Sequence, residues 1–332
     1  MTAPGAAGEG QPKTVVITGG NGGLGYEAAR TIAAASSDWH VVIASRDLER
    51  STEAAGRLAA SSGNPNVQAL TLDLGSLASV RRFAGDLAEL SLPPLRALVG
   101  NAGLQIVSGM THTVDGYETT FAVNHLGHFL LANLLLGRLR APARIVFTAS
   151  DTHDPARRTG MPVPRWRDPH LLAKPDDDPE PDQGSSGTTG RRRYTTSKLC
   201  NVLCTYELAR RIEQAGLGQV TVNAYNPGFL PGTGLTRDYP GAVRWLARAV
   251  FPAVARLRSN DGDLGSSGAA LARLVTDPAL EGVTARYYDR LEAVKSSTDS
   301  YDLAKAAELW RTSAELVQLK PEETALGERA LV

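Results

Sequence analysis

Short runs of Val, Ile and Leu recur through the first half of the chain, at Thr14 to Thr18, His40 to Ala44, Val67 to Leu72, Leu95 to Gly100 and Arg144 to Ala149. Runs this short and uninterrupted predict strands covered on both faces, as in a parallel sheet. The longer Ala-, Leu- and Arg-rich stretches between them carry helical spacing. Leu77, Val80, Phe83, Leu87 and Leu90 make one apolar stripe, and Ser76 stands where a cap is needed. Further helices are predicted over Tyr26 to Ala35, Phe121 to Leu139 and Tyr194 to Gln214, followed by a strand over Val220 to Tyr225. Strand–helix alternation implies right-handed crossovers, and hence an α/β fold built on a doubly wound parallel sheet.

Two regions break this rhythm. Residues 151–193 hold seven prolines, an acidic run from Asp176 to Asp182, a Gly/Ser/Thr run from Gly184 to Gly190, then Arg191, Arg192 and Arg193. A connection this long reads as a functional flap or a partly disordered insert, and its acidic run as a solvated surface. Beyond Pro227, helices are predicted near Ala242 to Arg256, Leu264 to Thr276 and Asp302 to Leu319. No internal repeat is visible. The chain is read as one elaborated domain over 14–320. It carries a flexible tail over 1–13, the insert at 151–193, a substrate-side lid and C-terminal extension over 229–320, and a tail over 321–332.

Composition narrows the function classes. The 332 residues carry 35 basic and 35 acidic side chains, so no net field draws in nucleic acid or an acidic membrane. No stretch approaches the roughly 20 apolar residues of a spanning helix, and no apolar block follows a basic start. Cys200 and Cys204, the two cysteines, lie four apart in a predicted helix, a spacing that suits buried thiols rather than a disulfide or metal pair. The expectation is a cytoplasmic protein acting on a small molecule, with no metal. Homo-oligomerisation stays open.

Candidate chemistry gathers at two places. The first strand runs into Gly19-Gly20-Asn21-Gly22-Gly23-Leu24-Gly25 and then a helix. Glycines there let backbone approach a pyrophosphate, and the helix start offers N–H donors. The spacing fits three nucleotide-binding patterns at once, Gly-x-Gly-x-x-Gly among them. The second strand ends Ala44-Ser45-Arg46-Asp47. A small serine and a guanidinium suit a 2′-phosphate, so NADP(H) is favoured over NAD, while Asp47 is placed to cap the next helix. Farther on, Tyr194 and Lys198 stand four apart on a predicted helix and share a face. A nearby cation and bound NADP⁺ favour the ionised form of the phenol and make proton exchange with an alcohol or carbonyl oxygen feasible near neutrality.

With Asp73-Leu74, Asn101-Ala102-Gly103, Asn124, Ser150 and Pro227-Gly228 in order between and after these, the chain resembles the short-chain dehydrogenase/reductase family over roughly residues 14–230. The flanks Asn124-His125-Leu126-Gly127-His128-Phe129 and Ser197-Lys198-Leu199-Cys200-Asn201 are similar to its retinol-dehydrogenase and protochlorophyllide-reductase-like group. Asn101-Ala102-Gly103 and Phe229 depart from a true protochlorophyllide reductase.

The resemblance implies a Rossmann-like fold and a set of roles. Tyr194 would be the general acid in reduction. Lys198 would hold the nicotinamide ribose and lower the Tyr194 pKa. Ser150 would bind the substrate oxygen, and Asn124 a water. Gly19, Asn21, Gly23, Leu24, Gly25, Ser45, Arg46, Asp73, Leu74, Asn101, Ala102, Gly103, Pro227 and Gly228 would line the cofactor. Gly232 stands where a nicotinamide-contacting Thr is common, leaving Thr233 as the substitute. His125 and His128 are expected to pack. Phe229, Leu230, Tyr239, Trp245, Phe251 and Trp166 are candidates to face a bulky lipophilic carbonyl. The implied activity is NADP(H)-dependent hydride transfer to or from a carbonyl or secondary alcohol. Reduction of a conjugated C=C bond and non-catalytic NADP sensing are the alternatives.

Overall fold

The computed structural model describes residues 10–230, 238–239 and 263–331. The predicted helix near Ala242 to Arg256, Trp245, Phe251, Gly232 and Thr233 lie outside the described residues. Strands β1 (Lys13–Thr18), β2 (Trp39–Ser45), β3 (Val67–Thr71), β4 (Leu95–Gly100), β5 (Leu139–Thr148), β6 (Val220–Asn226), β7 (Arg286–Asp289) and β8 (Glu292–Val294) form one sheet. Their order is β3-β2-β1-β4-β5-β6-β7-β8, parallel throughout except for the antiparallel β7–β8 pair.

The continuous apolar runs are explained by the two faces they cover. Val16, Val42, Leu98 and Ile145 point into one core. Their neighbours Val15, Ile17, Val41, Ile43, Val99 and Val146 point into the other. Strand side chains alternate, so a strand sandwiched by helices has no position to give to water. Helices α1 (Gly23–Ala35) and α2 (Leu48–Ser62) supply the second core, as α3 (Leu77–Glu89) does the first. Ser76 accepts a hydrogen bond from Ser79 N at the start of α3, and Asp47 one from Arg50 N at the start of α2, as their sequence positions predict.

The predicted helix over Phe121 to Leu139 is three pieces. A short α4 (Thr119–Phe121) leads into a π-helical turn (Ala122–Leu126) and then α5 (Gly127–Leu136). Leu139 already belongs to β5. In the insert, α6 (Pro169–Ala173) precedes the 29-residue α7 (Ser186–Gln214). Helix α7 thus starts eight residues before Tyr194, within the Gly/Ser/Thr run. Ser185 caps it by accepting from Thr188 N. The acidic run is not simply solvated. Asp182 accepts from Arg165 Nη1 at 2.7 Å and from Arg192 Nη1 at 3.1 Å, and Asp178 pairs with Arg167 at 3.4 Å. The last helices are α8 (Leu264–Thr276) and α9 (Leu303–Leu316), and residues 321–331 fold back so that Trp310 Nε1 donates to the Ala330 carbonyl.

Gly190 allows α7 to touch the loop that follows β4 backbone to backbone. A Cβ there would fall 2.0 Å from the Ile106 carbonyl oxygen and 3.0 Å from Val107 Cα. Neither atom can rotate away. Gly190→Ala is therefore expected to lower unfolding stability by about 2 kcal/mol or more, the scale of core overpacking. A denaturant midpoint equal to wild type would show that the loop yields freely.

Candidate active site

In a parallel sheet every strand delivers its C-terminal end to the same edge. The tips of β1, β2, β4, β5 and β6 carry Thr18, Ser45, Gly100, Thr148 and Asn226. The sequence that follows each tip supplies the predicted site: Gly19 to Gly25, Arg46, Asn101 to Gly103, Ser150 and Pro227-Gly228. Asp73 and Leu74 follow β3 on the same edge. The order of strands reverses between β1 and β4, where ligands of open α/β sheets bind.

The glycine turn is held close to the loop after β4. A Cβ on Gly25 would lie 2.5 Å from Asn101 Nδ2 and 2.6 Å from the Gly19 carbonyl. Thr18 organises this contact. Its hydroxyl accepts from the Asn101 and Ala102 amides, both at 2.9 Å, and lies 2.8 Å from His128 Nε2. Because His128 Nδ1 reaches the Asn124 carbonyl at 3.2 Å, Nδ1 carries the proton and Nε2 accepts from Thr18. Both lone pairs and the proton of the hydroxyl are used. Asn101 Nδ2 also donates to the Thr18 carbonyl, so this residue braces two strand ends.

The residues fit a dinucleotide. No side chain caps α1 at Gly22, its first turn holds no acidic residue, and the space over Gly22 and Gly23 is open. Unopposed N–H groups at a helix start favour an anion. Arg46 is exposed and makes no ion pair or hydrogen bond among the described residues. Ser45 is occupied with Ser51 Oγ at 2.6 Å. Asp73 Oδ1 accepts from Gly75 N at 2.9 Å, and Leu74 is buried beside Gly127. Leu24 is buried and Asn21 half-buried. Gly228 is held by Asn226 Oδ1 at 3.2 Å, and the Pro227 carbonyl accepts from Ser267 Oγ at 2.9 Å.

Tyr194, Lys198, Ser150 and Asn124 come together beneath this edge. Lys198 is 3% exposed, and among the described residues its ammonium makes one hydrogen bond, to the Thr148 carbonyl at 2.9 Å. Two donors remain for a sugar hydroxyl. Burial pulls its pKa down to about 8. A Cβ on Gly103 would sit 3.3 Å from Asn124 Oδ1 and 3.6 Å from Lys198 Nζ, so only glycine leaves that cradle clear. Asn124, on the π-helical turn, uses both amide donors and one of the two lone pairs of its side-chain oxygen. Its Oδ1 accepts from Leu104 N, and its Nδ2 donates to the Leu104 carbonyl and to Ser197 Oγ at 3.0 Å. Ser197 in turn donates to the Tyr194 carbonyl at 2.7 Å, tying the π turn to α7. Such turns recur at functional sites.

Lys198 Nζ lies 5.5 Å from the Tyr194 ring centre. The expectation that this cation, together with bound NADP⁺, favours the ionised phenol concerns the loaded site; in the protein alone the surroundings act the other way. Burial pushes the Tyr194 pKa up, the Asp151 and Tyr239 charges push it further, and only the hydrogen bond with Ser150 opposes them. These surroundings favour the protonated phenol.

Sequence reasoning missed two neighbours. Asp151 Oδ1 accepts from Ser150 Oγ at 3.2 Å. His153, buried, donates from Nδ1 to the Ser150 carbonyl and accepts at Nε2 from Ser297 N at 3.1 Å. Its only advertisement in sequence was its place three residues after Ser150. His125 and His128 are fully enclosed, the first between Phe121 and Phe129. On the substrate side, Asp238 Oδ2 accepts from the Val107 and Ser108 amides, and Tyr239 donates to Gln105 Oε1 at 3.1 Å. Phe229 is exposed, whereas Leu230 and Trp166 pack against the cores. Among the described residues no group of acidic, His or Cys side chains could hold a metal, and no helix is long and apolar enough to cross a membrane.

The doubly wound sheet and its Tyr/Lys/Ser cluster define a nicotinamide-dependent oxidoreductase. Residues 13–160 match the short chain dehydrogenase family model. WW domain-containing oxidoreductase of Danio rerio is 34% identical over 92% of this chain and 68% of its own. Retinol dehydrogenase 12 of Bos taurus is 34% identical over 93% of this chain and 87% of its own. A crystal structure of an uncharacterized Mycobacterium paratuberculosis protein superposes with a TM-score of 0.66 at 29% identity, over 93% of this chain and 96% of that one. The chain belongs to the short-chain dehydrogenase/reductase family, and its relatives support the retinol-dehydrogenase-like group within it.

Proposed function

We propose that this protein is an NADP(H)-dependent reductase of a bulky, lipophilic ketone or aldehyde, running toward the alcohol. The observation that carries the reading is the buried Tyr194 side chain with the Lys198 ammonium one helical turn on, 5.5 Å from its ring centre, and Ser150 among the groups acting on its hydroxyl. Arg46, uncommitted at the tip of β2, supports a 2′-phosphate and hence NADP(H). Lys198 would hold the nicotinamide ribose, and the cradle over Gly103 would admit it. A bound dinucleotide would supply the hydride for the carbonyl carbon. The Ser150 hydroxyl turns from Asp151 to hold the carbonyl oxygen, Tyr194 gives it a proton, and Lys198 steadies the phenolate left behind. A lipophilic substrate is suggested by exposed Phe229 on the substrate side and by the name of the retinol dehydrogenase relative.

The test is NADPH consumption across a panel of bulky ketones, aldehydes and enones, with products identified. The expected product is the alcohol. A saturated ketone from an enone would shift the assignment to C=C reduction. Tight NADPH binding without consumption over the whole panel would point to sensing.

A further inference from the structure

Asp151 lies one hydrogen bond behind the serine, on the short helical turn Asp151–His153 that packs against α7. Its backbone amide is fixed by Asn226 Oδ1 at 3.2 Å, and Asn226 Nδ2 donates to Asp289 Oδ1 at 3.1 Å. The carboxylate is therefore placed by β6 and β7 and not by a free loop. Around it stand the Asp289 carboxylate, the Arg157 guanidinium (3.8 Å from Asp289 Oδ2) and the Tyr287 hydroxyl, which is buried without a hydrogen-bond partner among the described residues. The Lys198 ammonium lies 5.5 Å from the Tyr194 ring centre on the same helix, while the charge of Asp151, on the turn after β5, pushes the phenol pKa up and the Ser150 hydroxyl pulls it down.

A serine hydroxyl has one proton. If it points at a carboxylate, it cannot also stabilise a phenolate. We propose that Asp151 is a positioning residue acting through Ser150: it competes for the serine proton, opposes a negative charge on Tyr194, and so keeps the tyrosine protonated and biased toward donating to a carbonyl oxygen. This rests on the reading of Tyr194 as the proton donor. It adds a specific consequence, namely that the protonation state of Tyr194 before substrate binds depends on a residue outside the Ser/Tyr/Lys/Asn set. Burial raises the pKa of Asp151 itself, with Asp289 adding to the rise and Ser150, Arg157 and the Thr152 amide opposing it.

The experiment reads the phenol directly. A fluorinated tyrosine of lower intrinsic pKa is placed at position 194 of the full chain, and its ionisation is followed by fluorine NMR against pH. Asp151→Asn keeps the shape and removes the charge, and should lower the midpoint by about one pH unit, the scale of a nearby like charge removed. Asp151→Glu, which restores the charge, should return it most of the way. Asp151→Ala provides the neutral arm if the Asn variant does not fold. A midpoint unchanged or raised in a folded neutral variant overturns the proposal. Turnover of Tyr194→Phe separates the two levels. If that variant stays active, the donor assignment itself is wrong. If it is inactive and the midpoint does not move, Asp151 alone loses its role.

Discussion

Tyr194→Phe should lose about a thousandfold in turnover while binding NADPH as wild type does, since general acid catalysis contributes about 10² to 10⁴. The substitution removes one oxygen from a side chain that is 7% exposed and leaves its ring packed 5.5 Å from the Lys198 ammonium. Lys198 keeps its bond to the Thr148 carbonyl, and Asn124 keeps its hold on Ser197. None of the glycine-turn contacts involves the phenol. Dinucleotide affinity, read by quenching or enhancement of nicotinamide fluorescence, should therefore stay within about twofold, a shift of less than half a kcal/mol. What disappears is the phenolic proton beside Ser150. Residual turnover above a tenth of wild type would mean that water or another side chain delivers the proton.

Acidification should unfold the protein from within, beginning below pH 6.5. Burial pushes the pKa of His125 down to about 3 and that of His128 down to about 4, with the His128 charge adding to the fall at His125. His153 is lowered for the same reason. A histidine whose pKa is depressed by folding binds its proton more readily in the unfolded chain. Its stabilisation is complete above the unfolded value near 6.5 and is lost as pH falls toward the folded value. Between pH 6.5 and 4 that is about 3 kcal/mol for each of His125 and His128, against a total stability of about 5–15 kcal/mol. Asp151 and Glu118, raised chiefly by burial, bind protons on folding and offset part of the loss. Thermal melts at steps from pH 7 to 4 should show a steep fall in midpoint. The paired change His125→Phe with Ser313→Ala, which removes the titrating group and its 2.8 Å partner together, should flatten that fall. An equally steep profile in the paired variant would assign acid sensitivity to other groups.

The parts of this molecule that were legible in the sequence are those whose physics is local. The two-sided burial of a parallel strand prints itself as a run of Val, Ile and Leu, and β4 was bounded to the residue. The caps at Asp47 and Ser76 obey side-chain geometry within three residues. The glycine turn and the Tyr194/Lys198 spacing are likewise short-range patterns. What stayed hidden depends on contacts distant in sequence. The first two turns of α7 contain Gly187, Thr188, Thr189 and Gly190, poor helix formers, and are sustained by packing of Gly190 on Ile106 and by Arg192 on Asp182. The π turn has no compositional mark. His153 matters because Ser297, 144 positions away, closes its hydrogen bond. The phenol's surroundings are only half legible: a neighbouring cation is visible in sequence, whereas burial and the Asp151 charge are not.

The turn at Ala122–Leu126 has a further consequence for anyone who edits this protein. A π turn holds one residue more than the winding on either side needs, and each residue of an α-helix advances the azimuth by about 100°. Deleting a residue to regularise the helix would leave only one half correctly phased. If Leu130, Leu131 and Leu135 keep their places in the interior, Asn124 swings away from Ser197. If Asn124 stays, a leucine turns outward. The surplus residue is what lets a single rod meet two incompatible angular demands, so length changes there should prove far less forgiving than substitutions.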